Sequence, residues 1–507
     1  MTRHDALVVG SGPNGLAAAI TLAERGRSVL VLEAADHAGG AVATDELTLP
    51  GFRHDTFSSV YPAAAASPVF ARMQLERHGL RWVNPPYCYA HPLPGGRAAV
   101  LAQSLDETAA SLDALHPGDG ERWRAFAGPY VKRFGAVRRT MLSGFPPLRG
   151  PAQMLAQLGP RRLVDFVRLL LMPATGLGGE LFRSSGARAW LYSSAMHGDV
   201  PPRGTGSAIA AAYLNFAGHS VGWPSPEGGA DRLAEALVGR LRELGGDVHT
   251  GARVVRVRTE GKRVRGLELA GGESLDAPIV IADVVPGSLV ALACDALPRR
   301  YATALRRYRH GPATVKVDWA LSAPIPWEAP EVHRAGTVHV GGDETELLDS
   351  LALGADDKVA DRPFLLLGQQ SLFDPTRAPE GQHTAWAYTH GPHGVDWEGE
   401  TPRMVERMEA HVEQYAPGFR DRILARHVLS PADLERRNAN LVGGDVGAGS
   451  YSLDQVIFRP TPSVSPYRTP VRGLYIGSAA TFPGGAVHGV PGHAAANVAL
   501  LESRVRR

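Results

Sequence analysis

Two glycine clusters in this chain have the residue types and spacing to do chemistry. Near the start, Gly10-x-Gly12-x-x-Gly15 precedes Glu33 by 18 residues, counted from Gly15. Without a Cβ, such a turn takes positive φ and lets a ligand approach the peptide itself. In a dinucleotide site the first glycine makes the tight turn, the second admits the pyrophosphate and the third lets helix and strand pack closely. The phosphates then rest on the free N–H groups of the helix N-terminus, where Pro13 and Asn14 stand. Glu33, with Ala34 beside it, can accept from a ribose diol, and its charge disfavours a 2′-phosphate. Far away in the chain, "PGGAVHGVPG" offers a second glycine loop with one histidine, His488. That ring can polarise an oxygen or shuttle a proton, or simply be satisfied by loop carbonyls. His219, Tyr388 and His390 are further candidates whose simpler reading is structural. His197-Gly198-Asp199 lacks metal-ligand spacing, so no metal is expected.

The elements that must carry these clusters follow from apolar periodicity. Ala6 to Val9 and Val29 to Leu32 are short apolar runs that read as buried strands. Between them Leu16, Ile20 and Ala23 make the stripe of a helix lying on a sheet, closed by Gly26. Further on, Leu233, Leu237, Leu241 and Leu244 mark a helix ended by Gly245-Gly246. Strands over 252–259 and 264–270, joined at Glu260-Gly261, and a buried strand over 279–282 then lead back to the nucleotide-binding part. Leu474 to Ile476 is a short strand ending at Gly477, with an Ala-rich helix from His493. Strand, glycine loop and helix N-terminus again favour an anion, so both ends of the chain converge on one long cofactor. Residues from about 300 to 430 differ: "GPATVKVDWAL", "FLLLGQQSLFD" and "HTAWAYTHGPH" read as a separate sheet, capped by helices near 104–140 and 402–416.

Bulk properties exclude several classes. The 507 residues are enough for two to four domains, and 44% hydrophobic with 21% charged is ordinary for a globular enzyme. A net charge of +2, with bases and acids interspersed, gives no reason to expect nucleic acid. Cys88 and Cys294 are too few for a disulfide framework. The N-terminus lacks the apolar core of a signal peptide, and no apolar run reaches the length of a bilayer, so a cytoplasmic protein is expected. The stretch from Arg161 to Phe182 is read as one helix buried in the substrate domain. Its second reading is a helix on a membrane surface, lining an apolar entrance.

The N-terminal Gly10-Ser11-Gly12-Pro13-Asn14-Gly15, Glu33, Gly39-Gly40 and the terminal "LYIGSAATFPGGAVHGVPGHAAANVA" together resemble the phytoene dehydrogenase-like branch of the FAD-dependent amine oxidase and carotenoid desaturase superfamily. "PEGGADRLAEAL" and "QVIFRPTPSVSPYRTPVRGLY" extend the resemblance over nearly the whole chain. The resemblance implies FAD as cofactor, with Gly10 to Gly15 at its pyrophosphate, Glu33 and Ala34 at the ribose, and Gly39, Gly40 and Ala41 beyond. Backbone groups at Val254 would meet the adenine, Gly477 and Ser478 the ribityl chain, and Val487, His488 and Val490 the isoalloxazine. Two departures stand out: many relatives have Arg or Lys where this chain has Ala41, and amine-oxidase members commonly have an acid where it has Ser478.

The expected fold is therefore α/β, a Rossmann-type FAD-binding domain in discontinuous segments, 1–100, 222–290 and 440–507. A mixed α+β substrate domain, 101–221 and 291–439, is inserted into it. The expected function is an FAD-dependent dehydrogenase or desaturase taking hydride from an apolar, isoprenoid- or polyene-like molecule, with the electron acceptor open. A flavin amine oxidase and a non-catalytic flavoprotein are the alternatives.

Overall fold

The computed structural model describes residues 4–355 and 358–504. At its centre is a five-stranded parallel sheet in the order Leu474–Ile476, Ile279–Ala282, Ala6–Val9, Val29–Leu32, Asp247–His249. Ala6 stands opposite both Ile279 and Val29, so the N-terminal strand is central. It and its two neighbours are buried along their whole length, as expected of a sheet covered on both faces. Four separate stretches of chain thus contribute to one sheet. The helix Pro13–Ala23 starts with its proline in the first turn, where the missing N–H loses nothing. A strand meander of Val254–Glu260, Arg263–Leu269 and Ser274–Asp276 lies beside the sheet, two residues inside the bounds that apolar alternation suggests at its start.

The second sheet has seven strands in the order Ile423–Leu429, Ala313–Leu321, His383–Gly391, Leu365–Gly368, Ala335–Val340, Tyr87–Leu93, Arg97–Ala102. It confirms a separate sheet for residues from about 300 to 430. It also corrects a boundary: Tyr87–Leu93 pairs in parallel with Ala335–Val340, so the chain enters this sheet well before residue 100. The reason is apolar burial on both faces of 87–102, which no local signal ties to either sheet.

Helices Leu105–Leu115, Asp119–Lys132 and Phe134–Met141 cover one side, with Trp397–Tyr415 on another. The single helix expected over 161–182 is two. Arg149–Leu171 bends at Gly159-Pro160, where Gly159 has φ +81°, and Ala174–Leu181 follows Pro173. The first of these is not wholly buried: Leu155, Val164, Val167 and Leu171 are exposed, as is Leu148 just before it. Among the described residues no helix is long and apolar enough to cross a membrane.

Candidate cofactor and substrate site

The first glycine turn is closed from three sides. Gly10 takes φ +91° and its N–H donates to the Leu32 carbonyl, 2.8 Å away. A Cβ at Gly15 would lie 2.1 Å from the Gly10 carbonyl oxygen, a backbone contact that no rotamer change relieves. Glu33 is fixed as an acceptor: one oxygen takes the Ser11 N–H (2.8 Å) and hydroxyl (2.7 Å), the other the Ala35 N–H (2.9 Å). The Ser11 hydroxyl also accepts from the Gly39 N–H, which ties Gly39-Gly40 to the turn. Ala41 is held by Ser58, whose hydroxyl donates to its carbonyl. The Ala252 N–H donates to the Glu33 carbonyl, so the strand beginning at Val254 rises beside the same acid. Gly10, Gly12, Pro13, Asn14, Gly15, Glu33, Ala34, Gly39, Gly40, Ala41 and Val254 therefore come together.

The second glycine loop lies against the first. Gly477 N–H donates to the Ala282 carbonyl at the end of the neighbouring strand, and Ser478 caps its own turn with Ala480 and Thr481. The final helix runs from Val490 to Arg504, starting three residues before His493. A Cβ at Gly492 would lie 1.8 Å from the Asn14 carbonyl oxygen, so the N-termini of the two helices meet backbone to backbone. His493 Nδ1 lies 2.9 Å from the Thr21 hydroxyl, and Ser67 donates to the His488 carbonyl. Ala486 and Val487 both take positive φ, +81° and +54°. For a β-branched residue this is a real outlier, and such strain collects at functional loops. The His488 ring is buried and committed within its loop, with Nδ1 accepting from the Val490 N–H (3.2 Å) and a second bond to the Gly485 backbone. Burial lowers its pKa to about 4, so it is neutral.

These residues fit a dinucleotide on grounds other than motif. The Asn14 side-chain oxygen, in the first turn of the first helix, is buried without a protein partner. Arg459 is fully buried and faces no carboxylate; its Nη2 reaches the Ala448 carbonyl (2.7 Å) and the Tyr308 hydroxyl, while Nε and Nη1 have no partner. A Cβ at Gly484 would lie 2.6 Å from that Nη1, which places a cation lying over the Tyr451 ring, with no carboxylate beside it, against the second glycine loop. A large anionic cofactor with hydroxyl donors supplies what both groups lack.

Nothing in the sequence around Asp283 marks it as a site residue. It follows the buried strand Ile279–Ala282 and accepts from the Gly15 N–H at 2.8 Å, under the first glycine turn. Burial pushes its pKa up to about 7, with the Glu33 charge adding to the rise and the Gly15 bond opposing it. The group is thus protonated below about pH 7 and ionised above, where its charge repels a pyrophosphate. FAD affinity is expected to fall on the order of tenfold as pH rises from about 6 to 8, and Asp283→Asn to flatten the dependence. Fluorescence titration of the apoprotein at both pH values checks it; an unchanged slope in the variant contradicts it.

A cavity of about 250 Å³ opens beside the strand His383–Gly391. Its lining is mostly apolar, including Met196, Leu351, Val359, Phe364 and Met404. One wall carries Asp199 and His390, which approach to 2.7 Å at ion-pair distance with both side chains largely buried. The other His390 nitrogen lies 3.1 Å from the Thr314 hydroxyl. Asp199 borders the loop 445–451: a Cβ at Gly447 would lie 2.5 Å from its free oxygen. That loop in turn braces the second glycine loop, since Tyr451 Oη accepts from the Gly485 N–H at 2.8 Å. Behind the wall, His197, His339 and Ser193 form a buried chain of 2.8 Å contacts, and burial takes the His197 pKa down to about 3. His219 accepts from the Trp123 indole and Tyr388 stacks on Trp386, both packing roles. Among the described residues no group of three His, Cys, Asp or Glu side chains could hold a metal ion.

The profile of flavin containing amine oxidoreductases matches residues 14–496. The pyridine nucleotide-disulfide oxidoreductase domain-containing protein 2 of Rattus norvegicus is 28% identical over 98% of this chain and 94% of its own. A phytoene desaturase (lycopene-forming) of a Paracoccus species is 25% identical over 98% of this chain and 97% of its own. Among solved structures, an oxidoreductase from Methanosarcina mazei superposes with a TM-score of 0.62, at 16% identity, over 98% of this chain and 99% of that one.

Proposed function

Since the chain belongs to the family of flavin containing amine oxidoreductases, we propose that it dehydrogenates an apolar small molecule held in the cavity beside Met196, Leu351 and Met404. It is an FAD-dependent oxidoreductase of the carotenoid desaturase-like branch. When bound, FAD supplies the hydride acceptor. In this reading Gly10, Gly12, Pro13, Asn14 and Gly15 hold the pyrophosphate, Glu33 and Ala34 the ribose through lone pairs that the chain leaves open, and Val254 the adenine. Gly39, Gly40 and Ala41 follow the phosphates, Gly477 and Ser478 the ribityl chain, and Val487, His488 and Val490 the ring. The N-terminus of the helix Val490–Arg504 supplies positive potential there, and neutral His488 orders the loop at the same place.

One observation carries the substrate class: the cavity lining is mostly apolar, and its Asp199–His390 wall abuts the loop that braces Gly485. The name of the Paracoccus relative, a phytoene desaturase, supports an apolar substrate. Anaerobic titration of the yellow holoenzyme tests the class, with bleaching of the flavin by hydrophobic compounds as the expected result. Bleaching by amines alone would assign amine oxidation, and no bleaching by either class would leave a flavoprotein without this catalysis. The exposed Val164, Val167 and Leu171, next to Arg161, Arg162 and Arg168, are the face proposed to meet a lipid surface, which flotation with anionic vesicles tests.

A further inference from the structure

We propose that Asp199 receives the hydroxyl group of a compact, otherwise apolar substrate, and so selects for an alcohol over a hydrocarbon; this rests on the reading of the cavity beside Leu351 as the substrate site. The size comes first. About 250 Å³ is at or below the lower end of ligand pockets, which run from about 300 to 1,000 Å³. A compact molecule fits such a space, whereas an extended polyene would project from it.

The polar wall then decides the chemistry. A buried carboxylate is costly, and a cavity meant for hydrocarbon alone gains nothing from one. Asp199 is nevertheless placed there with its side chain 6% exposed, on backbone at φ +52° and ψ +28°, a left-handed conformation that costs a non-glycine residue free energy. His390 Nε2 stands at ion-pair distance from one carboxylate oxygen, without hydrogen-bond alignment to it, and Nδ1 is tied to Thr314, so the ring is a positioning group. Asp199 itself lines the cavity, and its second oxygen, with no such partner within the wall, sits beside Gly447.

The number of acceptors separates a hydroxyl from an ammonium. An ammonium brings three donors and a hydroxyl one. The other hydroxyls lining the cavity are engaged: Thr389 donates to the Phe364 carbonyl at 2.8 Å, and Ser350 accepts from the Phe364 N–H at 3.2 Å. Lys358 is exposed at the mouth and would repel a second cation. One donor meets the carboxylate oxygen that has no protein partner among the described residues.

The experiment is calorimetric titration of the oxidised holoenzyme with geraniol, with myrcene as its hydrocarbon counterpart and with geranylamine. The native protein is expected to bind geraniol about tenfold or more tightly than myrcene, the range of a hydrogen bond to a charged acceptor. Asp199→Asn keeps the shape and tolerates the left-handed backbone. It is expected to weaken geraniol about tenfold while leaving myrcene unchanged, so the preference collapses; a merely structural role would weaken both alike. Leu351→Trp, which fills the cavity, is expected to abolish both. Equal loss of geraniol and myrcene in Asp199→Asn, or no preference in the native protein, overturns the assignment of Asp199 while the cavity reading stands if Leu351→Trp still blocks binding. Native binding by Leu351→Trp overturns the cavity reading itself. Geranylamine bound more than tenfold tighter than geraniol, or no binding by any of the three, overturns the alcohol assignment.

Discussion

Gly492→Ala is expected to give a protein purified almost free of FAD, although every residue from Gly10 to Glu33 is intact. The added methyl would stand 1.8 Å from the Asn14 carbonyl oxygen and 2.6 Å from its carbon, both backbone atoms. No side chain can move aside, so the final helix must shift away from the helix Pro13–Ala23, against the Thr21–His493 contact that registers them. Overpacking typically costs 1–3 kcal/mol, and a backbone clash at the point where both loops meet the cofactor falls at the upper end. That corresponds to roughly a hundredfold loss of FAD affinity. Gly287→Ala is the matched control, since a Cβ there meets nothing within 4 Å. The ratio of flavin to protein absorbance reads the result; stoichiometric FAD in Gly492→Ala would show that the two chain ends do not share one site.

Arg377→Met should be the most destabilising single change outside the glycine loops, by about 3–5 kcal/mol. The guanidinium is buried between two buried carboxylates, 2.9 Å from Asp55 and 2.9 Å from Asp374. Against the opposing effect of burial, its charge holds Asp55 below the usual carboxylate range, and hydrogen bonds from Thr376, Gly228 and Arg377 do the same for Asp374. Asp55 accepts from the Ala230 N–H (2.8 Å) and Asp374 from the Gly228 N–H (2.7 Å), so the "PEGGADRL" turn hangs on this triad. Methionine leaves two buried negative charges without a counterion. The sign of the pH dependence follows: the native pairs give stability above the unfolded carboxylate pKa that is lost as pH falls through the lowered folded values. The variant lacks that term, so its deficit should be largest near neutral pH and shrink in acid. Urea unfolding at about pH 7 and pH 4 checks both, and a deficit under about 1 kcal/mol at neutral pH contradicts the account.

What was legible in the sequence is what local chemistry writes. Gly10 to Gly15, the strands on either side and Glu33 fall within one short unit whose parts constrain one another, and each element appears where apolar periodicity puts it. The groups that were not legible owe their roles to partners far along the chain. Asp283 meets Gly15 across 268 residues, and nothing near it marks it as more than the end of a strand. Arg459 looks like an ordinary surface arginine until the fold removes water from it. In the sequence Asp199 stands in a motif without metal-ligand spacing and His390 reads as a structural ring; only the fold makes them a pair. The segment boundary at residue 100 fails for a related reason, since Pro92 and continuous apolar burial do not say which neighbour the strand Tyr87–Leu93 will take. The exposed face of Arg149–Leu171 shows the opposite limit: an apolar run predicts a helix, and not what covers it.

The central claim is that substrate reaches the flavin through the cavity beside Leu351. It is tested most directly by anaerobic stopped-flow reduction of native and Leu351→Trp holoenzymes, loaded equally with FAD, by compact terpenoids that bleach the native protein. Native flavin is expected to bleach, while Leu351→Trp stays oxidised and yellow over the same time. Bleaching of Leu351→Trp at the native rate would contradict the account, because the substrate would then reach the flavin by another route.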